Sequence, residues 1–317
     1  MTDYIQWLRS NIGHHKTILA YTTAIIRDDR GRVLCQRRRD FRDAWWGLPG
    51  GALEIGETFS ACAKREAFEE TGLRIKPIKL IGLYASPEWD VTYPNGDQVQ
   101  QFTIALDCRI VAGELKSDSD EVIHQEFFAL HAVPSLPPWY AAMLGHLDRR
   151  EAYFDPPIIG SPVESYMQMI RHFVGASTVL VAGASAAIFD DRQRVLLGLR
   201  GDNHLWGMPA GQMELGETPA GTVMREALEE VGLRIRVTQL ISVQTGPDAI
   251  HAYPDGNQVQ VVGARFRAEI IEGDLKPDGT ETLAVDWFDV NDLPPTLPRH
   301  EKIICLAIDH PEGGQFS

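Results

Sequence analysis

Two triplets of glutamate in this chain are spaced to hold a metal. Glu66, Glu69 and Glu70 lie in the segment REAFEE, and Glu226, Glu229 and Glu230 in REALEE. On a helix, positions i, i+3 and i+4 share one face, so each triplet would set three carboxylates side by side. Such a face repels itself unless a cation lies within it, and hard oxygen donors of this kind suit Mg²⁺ or Mn²⁺. A divalent ion held there would neutralise anionic phosphate oxygens and acidify a bound water, as hydrolysis of a phosphoanhydride requires. Glutamates at helical spacing also make ordinary solvated faces. Their context must therefore decide.

That context is a duplication. Residues 51–73 read GALEIGETFSACAKREAFEETGL, and residues 211–233 read GQMELGETPAGTVMREALEEVGL. Both contain Gly, then Glu after five residues, then Arg-Glu after seven more, then x-x-Glu-Glu-x-Gly and an aliphatic residue. Across 46–73 and 206–233, 15 of 28 positions are identical, including every charged position of the pattern. Seven specified residue types would match one given start with a chance on the order of 10⁻⁹. Thr58 to Thr71 and Thr218 to Val231 are free of central Gly and Pro and end at Gly72 and Gly232, which predicts helices of three to four turns. Ala61 and Phe68, with Gly221 and Leu228, are expected to point away from the glutamates into the core.

Around these helices the rest of each half repeats in order. YIQWLRSNIG, residues 4–13, returns as YMQMIRHFVG at 166–175, and each reads as a short helix with a glycine stop. Apolar runs at 17–26 and 178–189 lead through an Asp-rich turn to second runs at 33–35 and 195–197, read as paired strands. A loop two residues longer in the first copy follows, RRRDFRDAWW against LRGDNHLW. Further strands are expected at 80–85 and 240–244, at 102–111 and 261–271, and at Phe127-Phe128 and Trp287-Phe288. YPNGDQVQ at 93–100 and YPDGNQVQ at 253–260 carry two-residue hairpin signals. Tyr93 and Tyr253 would either stack on a nucleotide base or serve turn and packing. A proline-marked turn and a helix close each half, and DPPIIGSPV at 155–163 reads as the linker. The boundaries expected are therefore 1–155 and 164–317, close to the usual ~150 residues per domain.

The repeated segment resembles the Nudix box, G-x5-E-x7-R-E-U-x-E-E-x-G-U with U apolar, so the chain looks like a tandem Nudix hydrolase over nearly its whole length. The resemblance implies an α/β fold: two α/β/α sandwiches, each around a mixed sheet with the box as loop–helix–loop. It implies hydrolysis of a nucleoside diphosphate linked to another moiety, such as ADP-ribose or a nucleotide sugar. Glu69, Glu70, Glu229 and Glu230 would then ligate metal, with Glu66 and Glu226 as further ligands or general bases. Arg65 would pair with Glu57, and Arg225 with Glu217, behind Gly51 and Gly211, to fix the box loop. The carbonyls of Gly50 and Ala210 are candidate additional ligands. Glu121 and Glu281, aligned across the repeat, are reserve bases, though exposed loop acids would look the same. Ala210 stands where the first copy has Gly50, and would be strained if that position needs a positive φ. Pro87 and Pro247, 14 residues after their boxes, lie near the position of a proline in an ADP-ribose-cleaving branch.

Composition narrows the alternatives. A formal net charge of −14 over 317 residues argues against non-specific nucleic-acid binding and RNA decapping, but is compatible with polyphosphates bridged by cations. The four cysteines have no C-x-x-C spacing, so neither a disulfide framework nor a zinc site is expected. No apolar run is long enough to span a bilayer and no leader is visible, so a cytoplasmic setting is expected. Sanitation of oxidised or non-standard nucleoside triphosphates remains open, as does a regulator that binds nucleotides without hydrolysing them. The two halves could also pack as the two subunits of a homodimer would.

Overall fold

The computed structural model describes residues 3–39, 45–116, 121–160, 165–253, 256–310 and 312–317. Residues 40–44 within the expected first-copy loop, part of the acidic segment before Glu121, the last residues of the expected linker and two residues of the second hairpin signal lie outside these. In chain order the first half contains α1 (Tyr4–Ile12), β1 (Thr17–Arg27), β2 (Val33–Arg38), β3 (Trp46–Gly47), β4 (Gly50–Ala52), α2 (Phe59–Thr71), β5 (Leu73–Tyr84), β6 (Val91–Thr92), β7 (Gln98–Gly113), β8 (Val122–Phe128), α3 (Pro138–Gly145) and β9 (Tyr153–Phe154). The second contains α4 (Tyr166–Val174), β10 (Val179–Ile188), β11 (Val195–Arg200), β12 (Trp206–Gly207), β13 (Ala210–Gln212), α5 (Pro219–Val231), β14 (Leu233–Gln244), β15 (Ile250–Ala252), β16 (Gln258–Gly273), β17 (Thr282–Phe288), α6 (Pro298–Asp309) and β18 (Gln315–Phe316).

Each half is built on a mixed sheet. Strand β1 runs parallel to β7 and antiparallel to β4, and β7 is antiparallel to β5; β10, β16, β13 and β14 repeat the pattern. The central stretches of the long strands are buried, as strands covered on both faces must be, while the last residues of β7 and β16 are exposed. In the first half Arg27 pairs with Val33, which joins β1 to β2 in a nine-stranded sheet. In the second the corresponding junction is a single bridge, Phe189 to Val195, and β11, β12 and β17 form a separate three-stranded sheet.

Helices cover both faces, giving the expected sandwich. The box helices α2 and α5 and the initial helices α1 and α4 share one apolar cluster that runs through both halves. The closing helices pack on the opposite faces, α3 through Met143 against Ile25 and Ile81, and α6 through Ile303 and Ile304 against Ala187 and Ile241.

The halves meet through reciprocal contacts. The Tyr4 hydroxyl accepts from Leu180 N at 3.0 Å, and the Tyr166 hydroxyl from Ile18 N at 3.0 Å. Gln260 accepts from Gly56 N at 2.6 Å and donates to the Glu57 carbonyl at 3.1 Å. Gln100 does the same to Gly216 N at 2.8 Å and the Glu217 carbonyl at 2.7 Å. Each half therefore ties down the box loop of the other.

Two expectations need correction. Phe68 and Leu228 do not enter the core: they are 44% and 43% exposed. Phe68 lies instead under Arg74, 4.9 Å from the ring centroid. Ala61 is exposed too, and Gly221 is buried against the Ile158 backbone of the linker rather than in the core. The core side of the helix is Phe59, Cys62, Ala63 and Ala67, and in the second copy Ala220, Val223, Ala227 and Val231. The residues after each box, expected as strands from 80 and 240, are in strand from Leu73 and Leu233, directly after the glycine caps.

Candidate active sites

The box helix is started and stopped by its own sequence. The Thr58 hydroxyl accepts from Ala61 N, and Gly72 takes the left-handed conformation at φ +77°; Thr218 and Gly232 repeat both, with φ +76°. One face of the helix then rises beside β4 or β13, where the box glycine lies. A side chain on Gly51 would come within 2.3 Å of the Glu66 carboxyl, and one on Gly211 within 1.7 Å of Glu226. The glycine is therefore needed so that this carboxylate can lie flat on the loop.

Arg65 and Arg225 lock the loop. Arg65 Nε donates to Glu57 at 2.7 Å and its Nη2 to the Ala52 carbonyl at 3.0 Å. Arg225 Nε reaches Glu217 at 2.8 Å, and its Nη2 reaches the Gln212 carbonyl at 3.0 Å. The second pair is the more buried, with the Glu217 side chain 0% exposed against 18% for Glu57. Both acids also accept a backbone N–H at 3.1 Å, from Glu54 and Glu214.

The three carboxylates of each face differ in environment. Glu70 is 4% exposed, accepts from Gly50 N at 2.9 Å and meets Arg38 at 3.1 Å. Glu230 is 9% exposed and accepts from Ala210 N at 3.0 Å. Burial pushes both carboxyls up to about 8. Burial also raises Glu66 and Glu226, against the pull of the adjacent arginines. Glu69 and Glu229 are exposed, and Arg65 and Arg225 bridge them to Glu66 and Glu226.

The donor types suit a hard divalent ion, and buried acids with raised affinity for protons mark a place where positive charge is wanted. Yet among the described residues no three Asp, Glu, His or Cys side chains gather around one point. The box brings each triplet to one face. Within each face, one guanidinium nitrogen of Arg65 or Arg225 contacts both Glu66 and Glu69, or both Glu226 and Glu229.

The position before the box glycine behaves differently in the two copies. Gly50 has φ +151°, and a side chain there would meet the Thr22 carbonyl at 2.2 Å. Ala210 is not among the positive-φ residues, so the strain that a positive φ would impose on the alanine does not arise.

Other candidates lie near the box. Glu121 is exposed, 3.3 Å from Arg38, and its charge raises Glu66. Glu281 lines the second cleft and raises Glu226 and Glu230. Tyr93 and Tyr253 both line a cleft while closing their hairpins, each accepting from the glycine three residues on and donating its N–H four residues on. Pro87 and Pro247 open one-turn 3₁₀ helices.

What the sequence reading missed is how unlike the two clefts are. The cleft lined by Glu226 and Glu230 has a volume of about 700 Å³, whereas the pocket beside Gly50 and Gly51 in the first half has about 100 Å³ and is lined by none of the first-box glutamates. Tyr21, Trp139 and Tyr140 line the first, where the second has Gly183, Arg299 and His300. The available signal was the mismatch of the copies at these aligned positions, beside a box that hardly changes.

A NUDIX domain profile matches residues 18–147 and 179–307. An ADP-ribose pyrophosphatase of Methanocaldococcus jannaschii is 38% identical over 112 residues, 35% of this chain and 62% of that protein. A putative 8-oxo-dGTP diphosphatase of Bacillus subtilis is 30% identical over 38% of this chain and 74% of its own length. The NAD-capped RNA hydrolase NudC of Vibrio cholerae is 33% identical over 34% of this chain and 37% of its own. This chain thus spans less than two thirds of the first of these relatives. The crystal structure of a MutT protein from Methanosarcina mazei Go1 is 27% identical, covering 43% of this chain and 96% of that one with a TM-score of 0.36. With two domain matches and two complete boxes, the chain belongs to the Nudix hydrolase family, as a tandem duplication.

Proposed function

We propose that the chain is a Mg²⁺-dependent pyrophosphohydrolase, with Mn²⁺ as a possible substitute, that cleaves nucleoside diphosphates linked to another moiety. The observation that carries this reading is that two glutamates of the second box, Glu226 and Glu230, line a cleft of about 700 Å³ together with Arg200 and Tyr253. That volume is in the range of small-molecule sites, about 300–1,000 Å³.

In this reading Glu66, Glu69 and Glu70, and Glu226, Glu229 and Glu230, hold the metal. A divalent ion held there would supply charge neutralisation at the anhydride and an acidified water. The protein's residues do the rest. Arg65 and Arg225 keep the box loop in register, and Gly51 and Gly211 let Glu66 and Glu226 lie against it. Glu66 and Glu226, whose affinity for protons burial raises, would serve as further ligand or as the base that accepts the proton of the attacking water, with Glu121 and Glu281 as alternative bases. Tyr93 and Tyr253 offer a ring at the cleft wall for a base. The reciprocal glutamine contacts support a further part of the proposal: that the halves, bounded near 155 and 164, work as a fused pair in the manner of a homodimer.

The substrate choice rests on relatives whose names span ADP-ribose, 8-oxo-dGTP and NAD-capped RNA, so a panel is the test. Purified protein with Mg²⁺ should release a nucleoside monophosphate from ADP-ribose or a nucleotide sugar. Faster release of pyrophosphate from oxidised deoxynucleoside triphosphates would favour the sanitising alternative. Tight nucleotide binding with no product from any member would favour the regulator.

A further inference from the structure

The second cleft contains a buried cation with no counterpart at the aligned position of the first half. Arg265, on β16, is 8% exposed, and the first copy has Ala105 at this position. Its only hydrogen bond among the described residues runs from Nη1 to the Ala264 carbonyl at 3.2 Å, its Nε has no partner, and no carboxylate pairs with it. The burial and the neighbouring Arg299 lower its pKa to about 10, so it remains charged at neutral pH. An unpaired charge in a buried site is costly unless something negative comes to it.

The strand register shows how room was made. Gly183 on β10 lies opposite Gly263 on β16, and Ser185 lies opposite Arg265. The guanidinium lies over Gly263, where a side chain would meet Nη1 at 2.2 Å. In the first half the corresponding pair is Tyr21 and Thr103, so an aromatic ring stands where the second half leaves space. Ser185 is 1% exposed, faces the same cavity and has an unsatisfied hydroxyl. Arg299, at the start of α6, lines the cavity as well, where the first copy has Trp139. Three differences between the copies, Tyr to Gly, Ala to Arg and Trp to Arg, thus change one cleft in the same direction.

We propose that Arg265, Arg299 and Ser185 form a phosphate-binding subsite present in the second cleft and absent from the first. It would take a phosphate of the substrate other than the one presented to the box glutamates, so that the two halves act on different molecules. That last clause rests on the function proposed above, whereas the subsite itself does not. A guanidinium that no carboxylate pairs with, beside a second guanidinium and an unsatisfied hydroxyl, is the chemistry of phosphate recognition, although the box acids line the same cleft. The first half sets the rings of Tyr21, Trp139 and Tyr140 at the corresponding positions, which suit stacking on a flat group instead.

The test uses the full chain without metal, so turnover plays no part. With EDTA present, inorganic phosphate is titrated calorimetrically into the wild type and into Arg265→Met, Arg265→Lys, Arg299→Ala and Glu229→Gln. One equivalent should bind to the wild type. Arg265→Met and Arg299→Ala should each weaken it by about tenfold or more, as loss of a charge-assisted hydrogen bond does, with partial retention in Arg265→Lys. Glu229→Gln should change it less than about twofold, because the subsite is not the box. Thermal unfolding checks the fold: Arg265→Met should be at least as stable as the wild type without phosphate, since it removes an uncompensated buried charge. No phosphate binding to the wild type, equal binding by Arg265→Met, two equivalent sites, or marked strengthening in Glu229→Gln would each overturn the proposal.

Discussion

Replacing Arg225 with leucine should destabilise the protein far more than the same change at Arg65, although the two residues are aligned in the repeat. The Glu217 side chain is fully buried, and besides Arg225 it has the Thr222 hydroxyl at 2.9 Å and the Glu214 N–H at 3.1 Å. Removing the guanidinium leaves a buried carboxylate without its counter-charge, a loss of about 3–5 kcal/mol. Glu57 keeps 18% of its side-chain surface in water, so solvent recovers part of the loss and about 1–2 kcal/mol is expected from Arg65→Leu. Adding Glu217→Leu to Arg225→Leu removes the orphaned charge and should restore most of the stability. Urea unfolding at pH 7, followed by circular dichroism, measures all four proteins. Equal costs for the two arginines, or no recovery in the double variant, would refute the assignment of the energy to a buried ion pair.

Three other outcomes follow from the same geometry. Glu70 and Glu230 have folded pKa values of about 8 against an unfolded value of 4.5, so the metal-free folded state binds the extra protons. The stability they confer is complete below about pH 4.5 and is lost as pH rises through 8; unfolding midpoints should fall across that window, and Glu70→Gln with Glu230→Gln should flatten the slope. Removing metal with EDTA should abolish turnover, and Mg²⁺ should restore it, while circular dichroism stays unchanged because the box loops are held by protein contacts. Gln260→Leu unpairs Gly56 N and the Glu57 carbonyl in the opposite half, at a cost of about 1–3 kcal/mol. It should therefore lower turnover at the first cleft in a protein whose second box carries Glu229→Gln.

The sequence displayed the box because its residues must keep type and spacing together: the glycine clears space for Glu66, the arginine reaches Glu57 across one loop, and helical spacing aligns the acids. Strand order and hairpins were visible through apolar runs and the Asn-Gly turn. Phe68 and Leu228 were misplaced because they are apolar at positions facing solvent, and helical position alone does not say which face is covered. The ion-pair detail of Arg65 with Glu69 was hidden for a related reason: pattern fixes which side chains share a face, while charge balance without metal fixes where each carboxylate turns. The contrast between the clefts depends on Gly183 meeting Gly263 across two strands 80 residues apart in sequence, a register that only the folded sheet supplies. No helix among the described residues is long and apolar enough to cross a membrane.

The central claim is that the box glutamates carry hydrolysis, and it is tested most directly by turnover of Glu69→Gln, Glu229→Gln and the double variant on the best substrate of the panel with Mg²⁺. Each single variant should retain the activity of the other cleft, and the double variant should show none while unfolding at the wild-type midpoint to within a few degrees. A folded double variant that still turns over at the wild-type rate would contradict the account.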